Sequence, residues 1–384
     1  MKIIKLDCKT FDNISRNHSL HSYYQTSNYG EFMRTKGFIP DYYGFMDDKN
    51  NLVGASLILT KKLFLGYKYS LVLNGFLINY NDGNIIKKTT ELLKPFLQRN
   101  NVILLKIVLL SQIDNNNNII ENMKKCGYEY DNKPNSKKYN AILNINKTPE
   151  AIYKRFNKKL KVKIQTAKLF GVEAIKGNNK DINVFYKLLS KEKKYNIDDY
   201  KSLYKCFGKN FNVYFATLDT KKYIEKVAQT REYQKNKSEN INIELLTNKE
   251  NNNYELVEQK IIQDKLLFTS EKALKRAIKL AKKYPKSIII GACATITDNN
   301  EVSIIVEYQN NLYKSVSSQH FLKWAIIQES AKKDFSSFKI DSIEQREAEV
   351  LQQYGANIIE QQGDFNLVIN KKIYRIFKKF MKSL

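Results

Sequence analysis

The 384-residue sequence predicts an α/β fold of two similar units in tandem, the second interrupted by a helical hairpin. Three observations predict it. Residues 1 to about 145 alternate between helix and strand periodicity, and a second run of similar order starts near residue 148. A Gly-free, charged stretch from Lys221 to Pro285 then breaks that run before strand patterning resumes. The expected division is therefore 1–145 for the first unit, 146–220 with 286–384 for the second, and 221–285 for the arm.

In the first unit the pattern predicts a helix around Tyr29–Lys36 and strands at Tyr42–Met46, Leu52–Leu59 and Tyr69–Leu73. A helix at Ile85–Arg99 and a strand at Val102–Leu110 follow; that last run is apolar enough to be buried and too short to span a membrane. In the second unit a basic helix, Thr148–Phe170, precedes a strand at Gly171–Ile175, helices at Asp181–Leu189 and Asp198–Gly208, and a strand at Val213–Leu218. After the interruption come strands at Ser287–Thr297 and Val302–Tyr308, a helix at Ser317–Lys332 and a short strand at Phe338–Ile340. Within the arm, Asn248–Asn253 reads as a turn. The second helix repeats apolar residues at Leu256/Val257, Ile261/Ile262, Leu266/Leu267, Ala273/Leu274, Ala277/Ile278 and Ala281, one stripe closed by Pro285. The first helix opens with Tyr223, Ile224 and Val227, but Gln229–Asn240 is nearly all polar and is expected to be solvated or frayed.

Charge narrows the partners. The chain carries 65 Lys and Arg against 39 Asp and Glu, a net +26, and only eight of the basic residues are Arg. Such an excess suits nucleic acid, anionic lipid or a phosphorylated substrate, although part of it follows the Lys-, Asn- and Ile-rich bias of an AT-rich coding sequence. Cys8, Cys126, Cys206 and Cys293 are far apart with no CxxC pair, which argues against a zinc knuckle or disulfide framework and fits a reducing cytoplasm. No stretch approaches about 18 apolar residues, and the N-terminus lacks a signal-peptide core. HExxH, EF-hand, GxGxxG and GxxxxGK[ST] patterns are absent, so metals and dinucleotides are not expected. His18, His21 and His320 read as surface or edge histidines rather than catalytic bases, and no Ser/His/Asp or Cys/His set stands out.

Three segments carry a resemblance. Tyr24-Gln25-Thr26-Ser27-Asn28-Tyr29-Gly30-Glu31-Phe32 is followed by Arg34 and Lys36; the basic helix Arg155–Lys168 runs into Gly171-Val172-Glu173; and Tyr308–Asp341 holds Tyr313, Trp324, Ile327, Ala331 and Asp341. In this order they resemble the Fem family of non-ribosomal peptidyltransferases, which use aminoacyl-tRNA to add amino acids to the stem peptide of peptidoglycan precursors. The resemblance implies two tandem GNAT-like acyltransferase domains with an antiparallel coiled-coil hairpin in the second. It also implies aminoacyl-tRNA as co-substrate with no cofactor, and a lipid-linked or nucleotide-linked muropeptide as acceptor. Work at the inner membrane face of the cytoplasm follows from that acceptor.

The resemblance places precursor binding in the first unit's cleft and the second unit's edge, with Arg34, Lys36 and Tyr200 as candidate ligands. Tyr308 and Tyr313 either line that cleft or cap strands. Lys158, Lys159, Lys161 and Lys163 on the basic helix, and Lys275, Arg276 and Lys279 near the arm's base, are candidate tRNA contacts, because a phosphate backbone requires only clustered positive charge. Otherwise they are solvated faces, and the arm is a spacer or a dimer or partner contact. Met33, Val108, Asn196 and Leu351 depart from the family pattern, standing where lysine, aspartate, arginine and lysine are usual. Altered precursor binding or lost catalysis would each account for this, leaving an RNA-binding or scaffold protein as one rival reading and an acyl-CoA-dependent acyltransferase as another. The basic, amphipathic tail Lys371–Leu384 docks on the first unit or lies on an anionic leaflet.

Overall fold

Two seven-stranded sheets, each completed by a strand from the other half of the chain, organise the molecule. The computed structural model describes residues 1–109, 118–131, 138–192, 196–247, 254–361 and 363–381; Leu110, Lys194, Tyr195 and the expected turn at Asn248–Asn253 lie outside them. The first half contains β1 (Lys2–Lys5), α1 (Cys8–Arg16), α2 (Ser27–Thr35), β2 (Phe38–Met46), β3 (Leu52–Lys62), β4 (Lys68–Leu73), α3 (Gly83–Arg99), β5 (Val102–Leu109), α4 (Asn118–Lys125) and β6 (Glu129–Asp131). Then come β7 (Tyr139–Asn144), α5 (Pro149–Arg155), α6 (Lys158–Leu169), β8 (Val172–Lys176), α7 (Ile182–Leu189), α8 (Ile197–Phe207), β9 (Phe211–Asp219), α9 (Thr220–Thr247) and α10 (Tyr254–Lys283). The chain ends with β10 (Ser287–Asp298), β11 (Glu301–Gln309), α11 (Ser318–Ala331), β12 (Ser337–Ile343), α12 (Gln345–Gln352), β13 (Asn357–Glu360), β14 (Gly363–Val368) and α13 (Lys371–Met381).

The first sheet runs β1-β2-β3-β4-β5-β14-β6 and the second β8-β9-β10-β11-β12-β7-β13. Each has four antiparallel strands, one parallel pair (β4–β5, β11–β12), then a strand and an edge beyond it. The penultimate strands are exchanged: β7 pairs with β12 and β13, and β14 with β5 and β6. This corrects the expected boundaries, since residues 139–144 belong to the second sheet and 363–368 to the first. Both strands are only six residues long, so their periodicity could not say which sheet they join. The tail follows β14 onto the first unit, where Phe377 is buried against Tyr69, Ile103 and Leu104.

Local signals account for most element ends. Asp7, Thr26 and Asp82 cap α1, α2 and α3 by accepting backbone N–H bonds in the first turn. The expected single helix Thr148–Phe170 is two. Phe156 is extended (ψ 140°) and Asn157 starts α6 by accepting from the Leu160 N–H, an N-cap inside a charged run that hid it. Gly30 lets α2 lie close on β2: a Cβ there would stand 2.5 Å from the Tyr42 hydroxyl and 3.1 Å from Pro40.

The arm is an antiparallel pair joined by contacts whose positions run in opposite directions: Arg231 to Glu271, Gln234 to Gln263, and Ser238 to Lys260. Its polar first helix is not frayed. α9 is continuous, because its polar residues meet polar partners at the seam, with Ser238 and Gln263 buried. The stripe of α10 is corrected too: Leu256, Leu267, Leu274 and Ala277 face inward at heptad spacing, while Val257, Ile261, Ile262 and Leu266 are exposed. No helix among the described residues is long and apolar enough to cross a membrane.

One buried side chain holds β3 to β4 where their ladder ends. The two strands pair from Leu59–Leu71 outward to Lys62–Lys68, and beyond Leu71 the Gln25 amide fills the gap. Its Nε2 donates to the Leu73 carbonyl at 2.6 Å, and its Oε1 accepts the Leu57 N–H at 2.9 Å. Gln25→Leu strands both backbone groups in the core, so it is expected to lower unfolding stability by roughly 2–5 kcal/mol. Urea unfolding of the full chain measures this, and a loss below about 1 kcal/mol would show that the two groups find other partners.

Candidate active site between the two units

The two sheets share a core. Ala55, Leu57 and Leu59 of β3 and Phe11, Tyr29 and Phe32 of α1–α2 pack with Phe185 and Leu189 of α7, Leu203 and Phe207 of α8, and Val213, Ala294, Val306 and Tyr308 from the second sheet. A bulge makes this possible. Ala294 pairs with Val306 but Thr295 with Ile304, leaving Ile305 unpaired. The side-chain phase of β11 therefore flips, so that Val302 and Ile304 face the second unit's own core while Val306 and Tyr308 face the shared one.

At the same point the parallel pair opens. β11 and β12 are in register only from Glu301–Ser337 to Ile304–Ile340, whereas β4 and β5 stay in register to Leu73–Val108. Beside this fork lies a cleft of about 150 Å³ lined by Tyr23, Tyr24 and Asn74 from the first unit and by Asn140, Ser303 and Asp341 from the second. Asp341 is half-buried, and burial pushes its carboxyl up to about 6 against the opposing pull of Lys339. That lysine is already ion-paired with Glu301. Among the described residues no hydrogen bond reaches the Asp341 carboxylate. Burial, with the Asp341 charge as a further cause, holds the Tyr23 and Tyr24 phenols well above their ordinary range, so both stay protonated.

The cleft's first-unit wall is firmly held. Ser15 Oγ donates to the Gln25 carbonyl at 2.6 Å and lies 3.0 Å from His21 Nδ1; His21 Nε2 stands 3.0 Å from Asp298 Oδ2, bent away from hydrogen-bond geometry. The expectation of a surface or edge histidine is corrected at His21, which is buried. Ser15 is wholly buried with its proton committed to Gln25, so the set ties the units together and offers no nucleophile. His320 is corrected likewise. It is half-buried, 2.8 Å from the Tyr354 hydroxyl, and held down at about 4 by burial, then by Lys323 and Lys163, which leaves it neutral near pH 7.

None of the five expected precursor ligands lines the cleft. Arg34 is exposed and paired with Glu31 on the same helix (3.0 Å). Lys36 is half-buried, ion-paired with Asp199 of α8 and placed 5.6 Å from the Phe32 ring, so its charge joins the units. Tyr200 lies on that same α8 at the edge of the shared core, and Tyr308 is buried within it. Tyr313 is elsewhere, on the opposite side of the second sheet beside Tyr223 at the arm's base. The family departures have structural work: Asn196 accepts the Asp198 N–H at the start of α8, Leu351 is buried in the second core, and Val108 stands in β5 between Leu73 and Asp364.

The basic candidates occupy the outer side of the second unit. Lys158 and Lys159 are exposed in the first turn of α6; Lys161 turns back to the Lys154 carbonyl (2.9 Å), and Lys163 is half-buried near His320. Lys275, Arg276 and Lys279 are exposed on α10. Phe170, Tyr223 and Tyr313 form a chain of ring contacts that sets the end of α6 beside the arm's base.

A model of the FemAB family matches residues 6–382. Among solved structures, one described as the crystal structure of FemX superposes with a TM-score of 0.72 at 14% identity, covering 98% of this chain and 99% of that one. A tandem GNAT protein from the clavulanic acid biosynthesis pathway superposes with a TM-score of 0.50 at 8% identity, covering 96% and 98%. At these identities the likeness is one of fold, and it includes the two tandem GNAT-like units.

The buried carboxylate sets a pH dependence. Below pH 4 Asp341 is protonated in both folded and unfolded chains and costs nothing; between about 4 and 6 only the unfolded chain releases the proton, so the fold loses stability as pH rises. The full penalty is roughly 3 kcal/mol above pH 6. Asp341→Asn is expected to be more stable than the wild type at pH 7.5 by up to that amount and equal to it near pH 4. Urea unfolding at both values checks this, and a variant less stable at pH 7.5 would mean that the carboxylate is a structural anchor.

Proposed function

The chain belongs to the FemAB family, and from that premise we propose that it is an aminoacyltransferase, moving an amino acid from the 3′ ester of an aminoacyl-tRNA to an amine of the stem peptide of a peptidoglycan precursor. The observation that carries this reading is the fork between β11 and β12, which adjoins the interdomain cleft in a sheet whose outer side is basic. A polyanion held by Lys158, Lys159, Lys275, Arg276 and Lys279 would lie outside the second unit, with only its small acylated end required to reach the cleft. That cleft holds a few heavy atoms, which suits a reacting amine and ester and leaves the rest of both substrates outside.

The acyl group arrives already activated as an ester, so the protein needs no cofactor; it must bring a neutral amine to the carbonyl carbon and stabilise the oxyanion. Arg34 offers the acceptor's phosphates a planar fork, since its exposed pairing with Glu31 is weak and exchangeable. Tyr200, on α8 at the edge of the shared core, is the second candidate contact. A lipid-linked acceptor would bring the protein to the inner membrane face, where the exposed Lys371, Lys372 and Arg375 of α13 complement anionic headgroups.

The test is transfer by the full chain from a charged tRNA mixture to a lipid-linked or nucleotide-linked pentapeptide, read by mass spectrometry. A one-residue mass gain that disappears without tRNA supports the reading. Transfer from an acyl-CoA, with none from charged tRNA, would replace it, and no transfer from either would favour an RNA-binding protein. The double variant Lys158→Ala, Lys159→Ala is expected to weaken tRNA binding and to lower the log–log salt slope by about one for each phosphate that the protein no longer neutralises. An unchanged slope would move the tRNA off α6.

A further inference from the structure

The cleft contains a feature that the transfer reading does not itself supply: a carboxylate, Asp341, with no ion pair or hydrogen bond of its own among the described residues. Asn74, Asn140, Ser303, Tyr23 and Tyr24 surround Asp341 without adding charge, because both phenols are held protonated. The charged side chains that share the cleft have partners of their own, although the Lys339 charge still pulls on the Asp341 carboxyl. Lys339 on β12 pairs with Glu301 on β11, and His21, in the wall of the first unit, is flanked by Asp298 and Ser15. Among the described residues, then, Asp341 has no salt-bridge partner of its own, and the lysine that shares its cleft is paired with Glu301.

A primary ammonium matches this environment. It is small enough for the cleft, it donates to a carboxylate and to amide and hydroxyl oxygens, and the transfer chemistry requires such a group to lose its proton. Resting on the aminoacyl-transfer reading, we propose that Asp341 binds the acceptor's ammonium group and takes the proton that the amine sheds before attack. One Asp341 oxygen receives a proton from R–NH3+, leaving R–NH2. The nitrogen lone pair forms the C–N bond to the ester carbonyl carbon, the C–O bond to the ribose breaks, and the ribose oxygen takes the proton that nitrogen loses as the amide forms. Asp341 returns its proton to solvent before the next turnover. A carboxyl that titrates at about 6 is ionised near neutral pH yet basic enough to accept a proton in passing.

The experiment is the transfer assay run from pH 5 to 9 with full-length wild type, Asp341→Asn and Asp341→Glu, the variants first shown to be folded by circular dichroism and urea unfolding. The wild-type rate is expected to rise through an acid limb near pH 6. In Asp341→Asn, kcat should fall roughly 100-fold or more with KM for the acceptor changed only a fewfold, and the acid limb should disappear. Asp341→Glu should restore part of the rate together with an acid limb. A wild type that transfers, with Asp341→Asn within twofold of it and the acid limb intact, overturns this inference and leaves the transfer reading standing. A wild type that transfers nothing overturns both. Should the amide not fold, Asp341→Ser serves for the same comparison, with added acetate expected to raise its rate.

Discussion

The exchange of β7 and β14 is the constraint on which the rest of the structure depends. Each sheet receives its sixth strand from the opposite half of the chain, so neither half can complete its hydrogen-bonded ladder alone. Two separable domains would meet across a surface that opens and closes. Here the strands that cross between the units also fix their spacing, and the shared core of α1, α2, α7 and α8 fills the space so defined. The cleft beside Asp341 is a product of that spacing: its two walls belong to different units, which the ion pair between Lys36 and Asp199 and the contact between His21 and Asp298 also join.

Within that frame charge is sorted by depth. The net excess of basic residues is displayed outward, on α6, on the arm and on α13, where water screens it and each lysine costs little. Inside, buried charges are matched: Lys323 meets Glu307 at 2.5 Å, and Lys339 meets Glu301. Asp341 breaks the pattern. An ion kept in a low-dielectric place without a partner is destabilising, and folds retain such a group where chemistry uses it.

Much of the fold was legible because long elements announce their period. The apolar run of β5, the amphipathic α3 and the Gly-free arm were readable from spacing alone, and Trp324 proved to be core. Short elements were not. β7 and β14 carry six residues each, and nothing local distinguishes joining the nearer sheet from joining the farther one, because that choice is made by long-range pairing. The arm's seam misled for a different reason: Leu occurs on both the inward and outward sides of α10 and its Ile side chains face outward, while polar Ser238, Gln234 and Gln263 occupy the seam itself. The candidate site was legible only in fragments. Tyr24 and Asp341 were visible as motif residues, but the sequence separates them by most of the chain, and a cleft is a property of their meeting. Lys36 shows the converse, since a lysine seen in sequence as a free cation finds Asp199 only in three dimensions.

The exchanged strand also bears on synthesis. As the chain leaves the ribosome, β5 and β6 emerge well before the strand that lies between them, Gly363–Val368, because the whole second unit up to β13 is made in the interval. At ordinary elongation rates that delay is on the order of ten seconds or more. Throughout it the first half presents two open strand edges, each a template for the wrong partner. The first sheet therefore cannot be completed before the strands of the second unit have been made. The first sheet closes only when β14 reaches it, and a product stopped short of β14 lacks the strand that joins β5 to β6.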